Sequence, residues 1–256
     1  MKLYCYTTPS HETLFSEWFL PSVGDEYDVV AEHDHEQRCP TARCQADGWK
    51  ETMFRKLQCV LRAIRENWGG VFLYADVDTQ WFGRSEAALK KALGDADIAI
   101  QLDAPYGLAC AGLFVCRGNE RVLALFERIA ERMLKEHRDE QMLFNEILLL
   151  NEMPNSRLRH LVRFWPKIFL RFFPWGLYNF LPKPNPFDVR WRYLPPTLFF
   201  GGGTFTGRHW VPGSKLFVPR NALCHHANFV YGIEDKIKQF RSVREIMDQH
   251  HCKPNV

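Results

Sequence analysis

The feature that most constrains this chain is the stretch Gly69-Gly70-Val71-Phe72-Leu73-Tyr74-Ala75-Asp76-Val77-Asp78. Two glycines open it, five β-forming apolar residues follow, and the run ends on two aspartates one residue apart. A short apolar run bounded this way reads as a fully buried strand. In extended chain, residues i and i+2 point to the same side. Asp76 and Asp78 are therefore expected to face one ligand just past the strand end. A carboxylate beside buried apolar chain is costly unless a cation compensates it. Mg²⁺ and Mn²⁺ are hard ions that take oxygen ligands and often share them with substrate phosphates.

The rest of the sequence supplies the sheet that such a strand needs. Residues 2–7 and 27–31 read as strands. Over 51–67, Met53, Leu57, Val60, Leu61 and Ile64 recur at helical spacing, and Gly69-Gly70 stops the helix. Ser85 and Glu86 open another helix, which Gly94 ends. Residues 97–101 and 112–116 are two more strands. Asn119 caps a helix carrying Val122, Phe126, Ile129 and Met133, and 139–150 is a more apolar one. Ser10 is expected to cap a helix through Trp18-Phe19-Leu20. Ile233, Ile237, Phe240, Val243 and Met247 share one face of a last helix. This alternation predicts an α/β fold with a mixed, mostly parallel sheet flanked by helices. Ligands of such sheets bind at the carboxyl ends of strands, where the two aspartates stand. After Pro154, prolines and aromatics dominate to Pro219, a strand-and-loop region laid on the same sheet. The expectation is one domain over 1–256 with a basic, aromatic insertion at 155–190; 256 residues are ample for such a core.

The net charge of +3 becomes informative when localised. Arg157, Arg159, Arg163, Lys167, Arg171 and Lys183 lie between Met153 and Phe187 with no acidic residue among them. Six charges taken from +3 leave −3 for the remainder, so no nucleic-acid partner is expected. Phe164, Trp165, Phe169, Phe172, Phe173 and Trp175 surround these cations. The mixture suits peripheral membrane contact through 157–181, against the plainer reading of core aromatics with snorkelling basic ends. Pro166 and Pro174 limit any helix there to short pieces. No run of 18 uncharged apolar residues exists, and Met1 leads straight into a strand, so neither a membrane span nor a secretory signal is expected. Eight cysteines, none in CxxC, read as free thiols of a reducing compartment. The expected setting is the cytoplasm, peripheral to a membrane surface.

Each chemistry-bearing motif has a plainer reading beside it. Two acids one apart are often a solvated turn, but the double glycine and buried strand favour metal binding. A phosphatase-type DxDx(T/V) loop normally opens its fold on the first strand, and this pair does not. His225 and His226 each offer a third, imidazole ligand; the alternative is a polar turn before the last helix. Asp139, Glu140 and Gln141 begin an apolar helix, where acids also serve the helix dipole. His33, His35, Cys39 and Cys44 match no standard zinc spacing. Gly201-Gly202-Gly203 fits neither GxGxxG nor a P-loop, and reads as a flexible turn.

In their order along the chain these pieces resemble a known family. A Tyr-Thr-Thr-Pro-Ser-His loop follows the first strand, then come a helix bearing Arg55 and Lys56, and Leu-Tyr-Ala-Asp-Val-Asp. Gly-Leu-Phe-Val, an acid-Gln-x-x-x-Asn helix start and a late His-Ala-Asn-Phe-Val-x-Gly-x-x-x-Lys-Ile complete the series. The chain resembles the nucleotide-diphospho-sugar transferase domain of GT-A-fold glycosyltransferases with a DxD motif, over most of 1–245 apart from about 155–190. The resemblance implies that Asp76 and Asp78 hold Mn²⁺ (or Mg²⁺) against the donor diphosphate, with Val77 between them also at the donor and His226 completing the metal shell. It implies that Thr7 and Thr8 lie near the nucleoside and that Arg55 or Lys56 reaches donor phosphates. The family's Asp-Gln pair stands here as Glu140-Gln141, which leaves Asp139, Glu140 and Gln141 as catalytic candidates. Its Asn-Thr/Ser-Gly stands as Cys110-Ala111-Gly112. A UDP-sugar is the expected donor, a glycan, lipid-linked or protein hydroxyl the acceptor, and retention the expected outcome. The alternative is a catalytically lapsed nucleotide-sugar or glycan-binding module on the same fold.

Overall fold

A computed structural model describes residues 1–41, 46–105, 107–149 and 185–252. Six strands form the main sheet: β1 (Lys2–Thr7), β2 (Asp28–His33), β3 (Val71–Ala75), β5 (Ile98–Ala104), β6 (Leu108–Arg117) and β7 (Trp191–Tyr193). Their order is β2-β1-β3-β6-β5-β7. β1 runs parallel to β2 and β3, and β7 parallel to β5, while β6 is antiparallel to both its neighbours. A second sheet joins β4 (Thr79–Trp81), β9 (Cys224–His226) and β8 (Phe199–Gly201) in the order β4-β9-β8. This is the mixed, mostly parallel sheet expected, with the short second sheet added.

The strand period of two sorts the core into two faces. Tyr4, Phe72, Tyr74 and Phe114 meet Leu57, Val60 and Ile64 of α2 (Trp49–Glu66), Phe126 of α4 (Glu120–Glu136) and Phe144 of α5 (Glu140–Leu149). The alternate residues Leu3, Cys5, Leu73, Ala75, Leu113 and Val115 pack on Phe15, Phe19 and on Leu89 and Leu93 of α3 (Glu86–Leu93). Both faces are covered, as a continuous apolar strand requires. Asn119 caps α4 by accepting the Val122 N–H at 3.0 Å.

The segment after β1 departs from expectation. Ser10 caps nothing; Pro9–His11 is a single 3-10 turn, and Leu14–Phe19 is wound as a π-helix before α1 (Leu20–Val23). Pro21 lacks the N–H that would close an α-turn onto Glu17. The expected insertion at 155–190 lies outside the described residues as far as residue 184.

Asp97, buried at the start of β5, ties three elements together. Its carboxylate accepts Arg190 N–H at 2.8 Å, the Asn119 amide at 2.9 Å and the Arg121 guanidinium at 2.9 Å. Burial opposes its charge, and these donors outweigh burial, so its carboxyl titrates below the ordinary value. A depressed folded value adds stability above the unfolded one, which is lost as pH falls through the folded value. Asp97→Asn is therefore expected to lower stability at neutral pH by about 1–3 kcal/mol. In denaturant melts the gap between the two proteins is full above about pH 4 and closes in stronger acid.

Candidate active site

The turn after β3 is shaped by its neighbours. Asp76 N–H donates to Gly112 O at 2.7 Å, Thr79 Oγ1 to Asp76 O at 2.9 Å, and Ala227 N–H to Asp78 O at 2.8 Å. Val77 turns into the apolar core, which leaves both carboxylates on the cleft side. β4 pairs with β9 so that Thr79 stands opposite His226. One ligand atom from each of Asp76, Asp78 and His226 falls within 4.8 Å of the others. His226 Nε2 is 3.1 Å from Asp78 Oδ1, and its Nδ1 lies 3.0 Å from Gln101 Oε1. Burial opposes a charge on the ring, but Asp78 outweighs it and raises the imidazole well above its ordinary titration, so Nδ1–H is held by Gln101 and Nε2–H by Asp78. A metal ion that replaced the Nε2 proton would meet a ring already oriented.

This donor set suits a hard divalent cation, two carboxylate oxygens and one imidazole. Gly112 leaves room for it: a Cβ there would stand 2.5 Å from Asp76 Oδ2 and 2.5 Å from His226 Cε1. The glycine of Cys110-Ala111-Gly112 thus has a steric reason. Cys110 Sγ sits 3.5 Å from His226 Nδ1, behind the imidazole.

Two lysines, Lys56 buried and Lys236 half-buried, balance the acids. Lys56 Nζ bridges Asp76 Oδ2 at 2.9 Å and Glu140 Oε1 at 3.0 Å, and Lys236 Nζ pairs with Asp78 Oδ2. Burial opposes ionisation of Asp78, but Lys236 and His226 outweigh it and hold the carboxyl well below its usual range. Burial raises Glu140, with Lys56 countering. Burial drives His11 down to about 4, with the Lys236 charge adding to it.

These groups line a cleft of about 390 Å³. Thr8, Lys56, Asp76, Val77, Asp78, Asp139, Glu140, Gln141 and His226 all border it. Thr8 Oγ1 meets Ser10 Oγ at 3.1 Å and His11 Nδ1 at 3.0 Å. Thr7 is buried beside it but does not line the cleft, and Arg55 is exposed on the outer face of α2, against Gln58. Asp139 Oδ1 caps α5 through Met142 N–H at 2.8 Å. Gln141 accepts Ala111 N–H at 3.1 Å and donates to Asp103 Oδ2 at 3.2 Å.

His225 points the other way, its ring 4.8 Å from Phe200 and 5.9 Å from Phe240. Burial lowers its titration to about 3. The two histidines thus occupy opposite faces of β9, and it is His226 that lies with the two aspartates. Gly201-Gly202-Gly203 is not a loose turn. A Cβ on Gly201 would lie 2.5 Å from Asn228 Oδ1, and one on Gly203 would lie 2.3 Å from the Phe229 ring. The glycines let the chain after β9 lie directly on β8.

Sequence reasoning gave no role to Lys236 and His11, although both stand in the motifs quoted above, and passed over Gln101 and Asp103 as site residues. Ala99, Gln101 and Asp103 alternate along β5, so an acid at the end of a buried strand was a usable signal for Asp103. Asp103 Oδ1 accepts the Asn228 amide at 2.7 Å, and burial raises its carboxyl.

Residues 29–240 match the sequence model of the family described as nucleotide-diphospho-sugar transferase. Comparison with curated proteins gives no sequence match. Among solved structures, the chain is similar to galactosyltransferase LgtC in complex with donor and acceptor sugar analogs, at 10% identity and a TM-score of 0.49, over 100% of this chain and 97% of that one. It is similar to a glycosyltransferase involved in glycosylation of the major capsid of PBCV-1, at 10% identity and 0.47, over 97% and 100%. It is also similar to the glycosyltransferase GlyE of Streptococcus pneumoniae TIGR4, at 10% identity and 0.49, over 97% and 63%. On the family match, which covers most of its length, the chain belongs to the nucleotide-diphospho-sugar transferase family.

Proposed function

We propose that this protein is a metal-dependent glycosyltransferase, one domain over 1–256, that moves a sugar from a nucleoside diphosphate to a hydroxyl acceptor. The observation that carries the reading is the convergence of Asp76, Asp78 and His226 in a cleft that also holds Lys56 and Lys236. Mn²⁺ or Mg²⁺ held by these three residues supplies Lewis-acid stabilisation of the leaving diphosphate. Lys236 follows His226 on the next element, α6 (Ile233–Cys252), and offers a cation to the same phosphates. Lys56 orients Asp76 and Glu140 together, which fixes the acids before a donor arrives. Thr8 supports the nucleoside end, and UDP is the nucleotide the resemblance favours. Asp139, Glu140 and Gln141 border the sugar position. All three are engaged: Asp139 in the α5 cap, Glu140 with Lys56 and Gln141 with Asp103. We therefore assign them to positioning the sugar, with retention of anomeric configuration taken from the family.

The free thiols of Cys5, Cys59, Cys110, Cys116 and Cys224 fit a reducing, cytoplasmic setting. No helix among the described residues is long and apolar enough to cross a membrane. Membrane contact through 157–181 concerns residues outside those described.

Incubation with a panel of nucleotide-sugars and Mn²⁺ is expected to show slow donor hydrolysis. Asp76→Asn and Asp78→Asn each reduce it by on the order of 10²–10³-fold. Hydrolysis of no donor, together with no Mn²⁺ binding by calorimetry, would leave a lapsed binding module as the better reading.

Two substitutions test the site without turnover. Gly112→Ala is expected to weaken Mn²⁺ binding about tenfold or more, because its methyl group enters the space between Asp76 and His226. Lys236→Met is expected to act in opposite directions in calorimetry. Freed of its cation, Asp78 binds Mn²⁺ about tenfold tighter, while UDP binds more weakly. Parallel loss of both would mean that Lys236 serves structure alone.

A further inference from the structure

Three of the seven large apolar side chains exposed among the described residues come from one stretch. They are Val211 (61%), Phe217 (62%) and Tyr231 (53%). From Thr204 to Ile233 this stretch contains no acidic residue, yet it carries Arg208, Lys215 and Arg220. None of these three cations meets a carboxylate among the described residues.

The stretch is firmly built. Ser214 N–H donates to Val211 O at 2.9 Å, and Gly213 has φ 86°. Val211-Pro212-Gly213-Ser214 is thus a tight turn with proline before a left-handed glycine. The Trp210 indole donates to Ser214 O at 3.0 Å, and Trp210 N–H to Phe229 O at 2.9 Å, fastening the turn to the chain after β9. Phe217 packs edge-on against Phe205 at 4.7 Å between ring centroids. His209 stacks on Tyr231 at 4.4 Å, and both border the cleft.

Apolar side chains that gather in one exposed region mark a contact surface. Here they alternate with cations that meet no carboxylate among the described residues, and they include aromatic rings. Aromatic rings settle at the headgroup level of a bilayer, and anionic headgroups attract each nearby Lys or Arg. An acidic peptide or a nucleic acid would use the cations but gain nothing from a turn that presents Val211 and Pro212 to solvent. We propose that this turn and its rim, Arg208, Val211, Lys215, Phe217, Arg220 and Tyr231, dock the protein on an anionic membrane surface. The cleft mouth is thereby brought to headgroup level. If the transferase reading holds, a hydroxyl acceptor borne at that surface is reached without leaving it; the docking itself does not depend on that reading.

Flotation of the full chain with phosphatidylcholine vesicles, with and without phosphatidylglycerol, tests this. The protein is expected to float with the anionic vesicles, less so at high salt. Val211→Ser with Phe217→Ser, and Lys215→Glu with Arg220→Glu, each weaken binding by on the order of tenfold or more. Trp68→Ser with Leu134→Ser, exposed elsewhere, leaves it unchanged. Hydrogen exchange on the unaltered chain provides a second measure, with protection of 208–217 expected when anionic vesicles are added. The proposal fails if the protein does not float, if rim substitutions leave flotation intact, or if 208–217 gain no protection. Retention on heparin without vesicle binding would assign the rim to a polyanion instead.

Discussion

The structure turns on the neutralisation of carboxylates withdrawn from water at the end of a buried strand. Asp76, Asp78 and Glu140 share one cleft, and Lys56 and Lys236 stand among them. Removing one member of such a buried set leaves its partners charged and uncompensated, which costs more than the pair contributes. The lysines therefore serve the fold itself. Lys56 reaches from α2 to a strand turn and to the first residue of α5, so three elements are held in one electrostatic unit.

That unit explains why local structure is so closely matched to charge. Val77 faces the core so that its two neighbours face the cleft. Gly112 has no side chain because an aspartate and a histidine cross above it. Gln101 is buried on a central strand because an imidazole needs a fixed acceptor for its second nitrogen. Apolar patterning builds the sheet, and a few polar residues at its edge then admit no ordinary substitute.

Much of this was legible in the sequence. Period-two alternation in residues 2–7, the bounded apolar run of 71–75 and period-3.6 spacing in 51–67 are local signals, and they located the sheet, its helices and the aspartate pair. What stayed hidden was pairing over long separations. β4 and β9 lie 145 residues apart along the chain at the Gln80–His225 pair. Their register decides that His226 and not His225 reaches the cleft, and no local pattern encodes a register. The same holds for Gly201–Gly203, whose need for small size comes from Asn228 and Phe229. Pro21 was visible, but its effect, a widened helix, depends on the whole segment being held against Phe240 through Trp18.

The pairing of β4 with β9 also bears on how the molecule comes together. Asp78 and His226 sit on opposite sides of one strand ladder, one from the early part of the chain and one from the late part. Contacts between such distant segments are closed late, because loop entropy must first be overcome. The Asp76, Asp78 and His226 group is therefore complete only in the finished fold. A chain that has formed its main sheet but not seated β9 offers two acids and no imidazole. On the proposed reading, cation binding would favour the finished state by mass action, and a bound ion would report completed assembly.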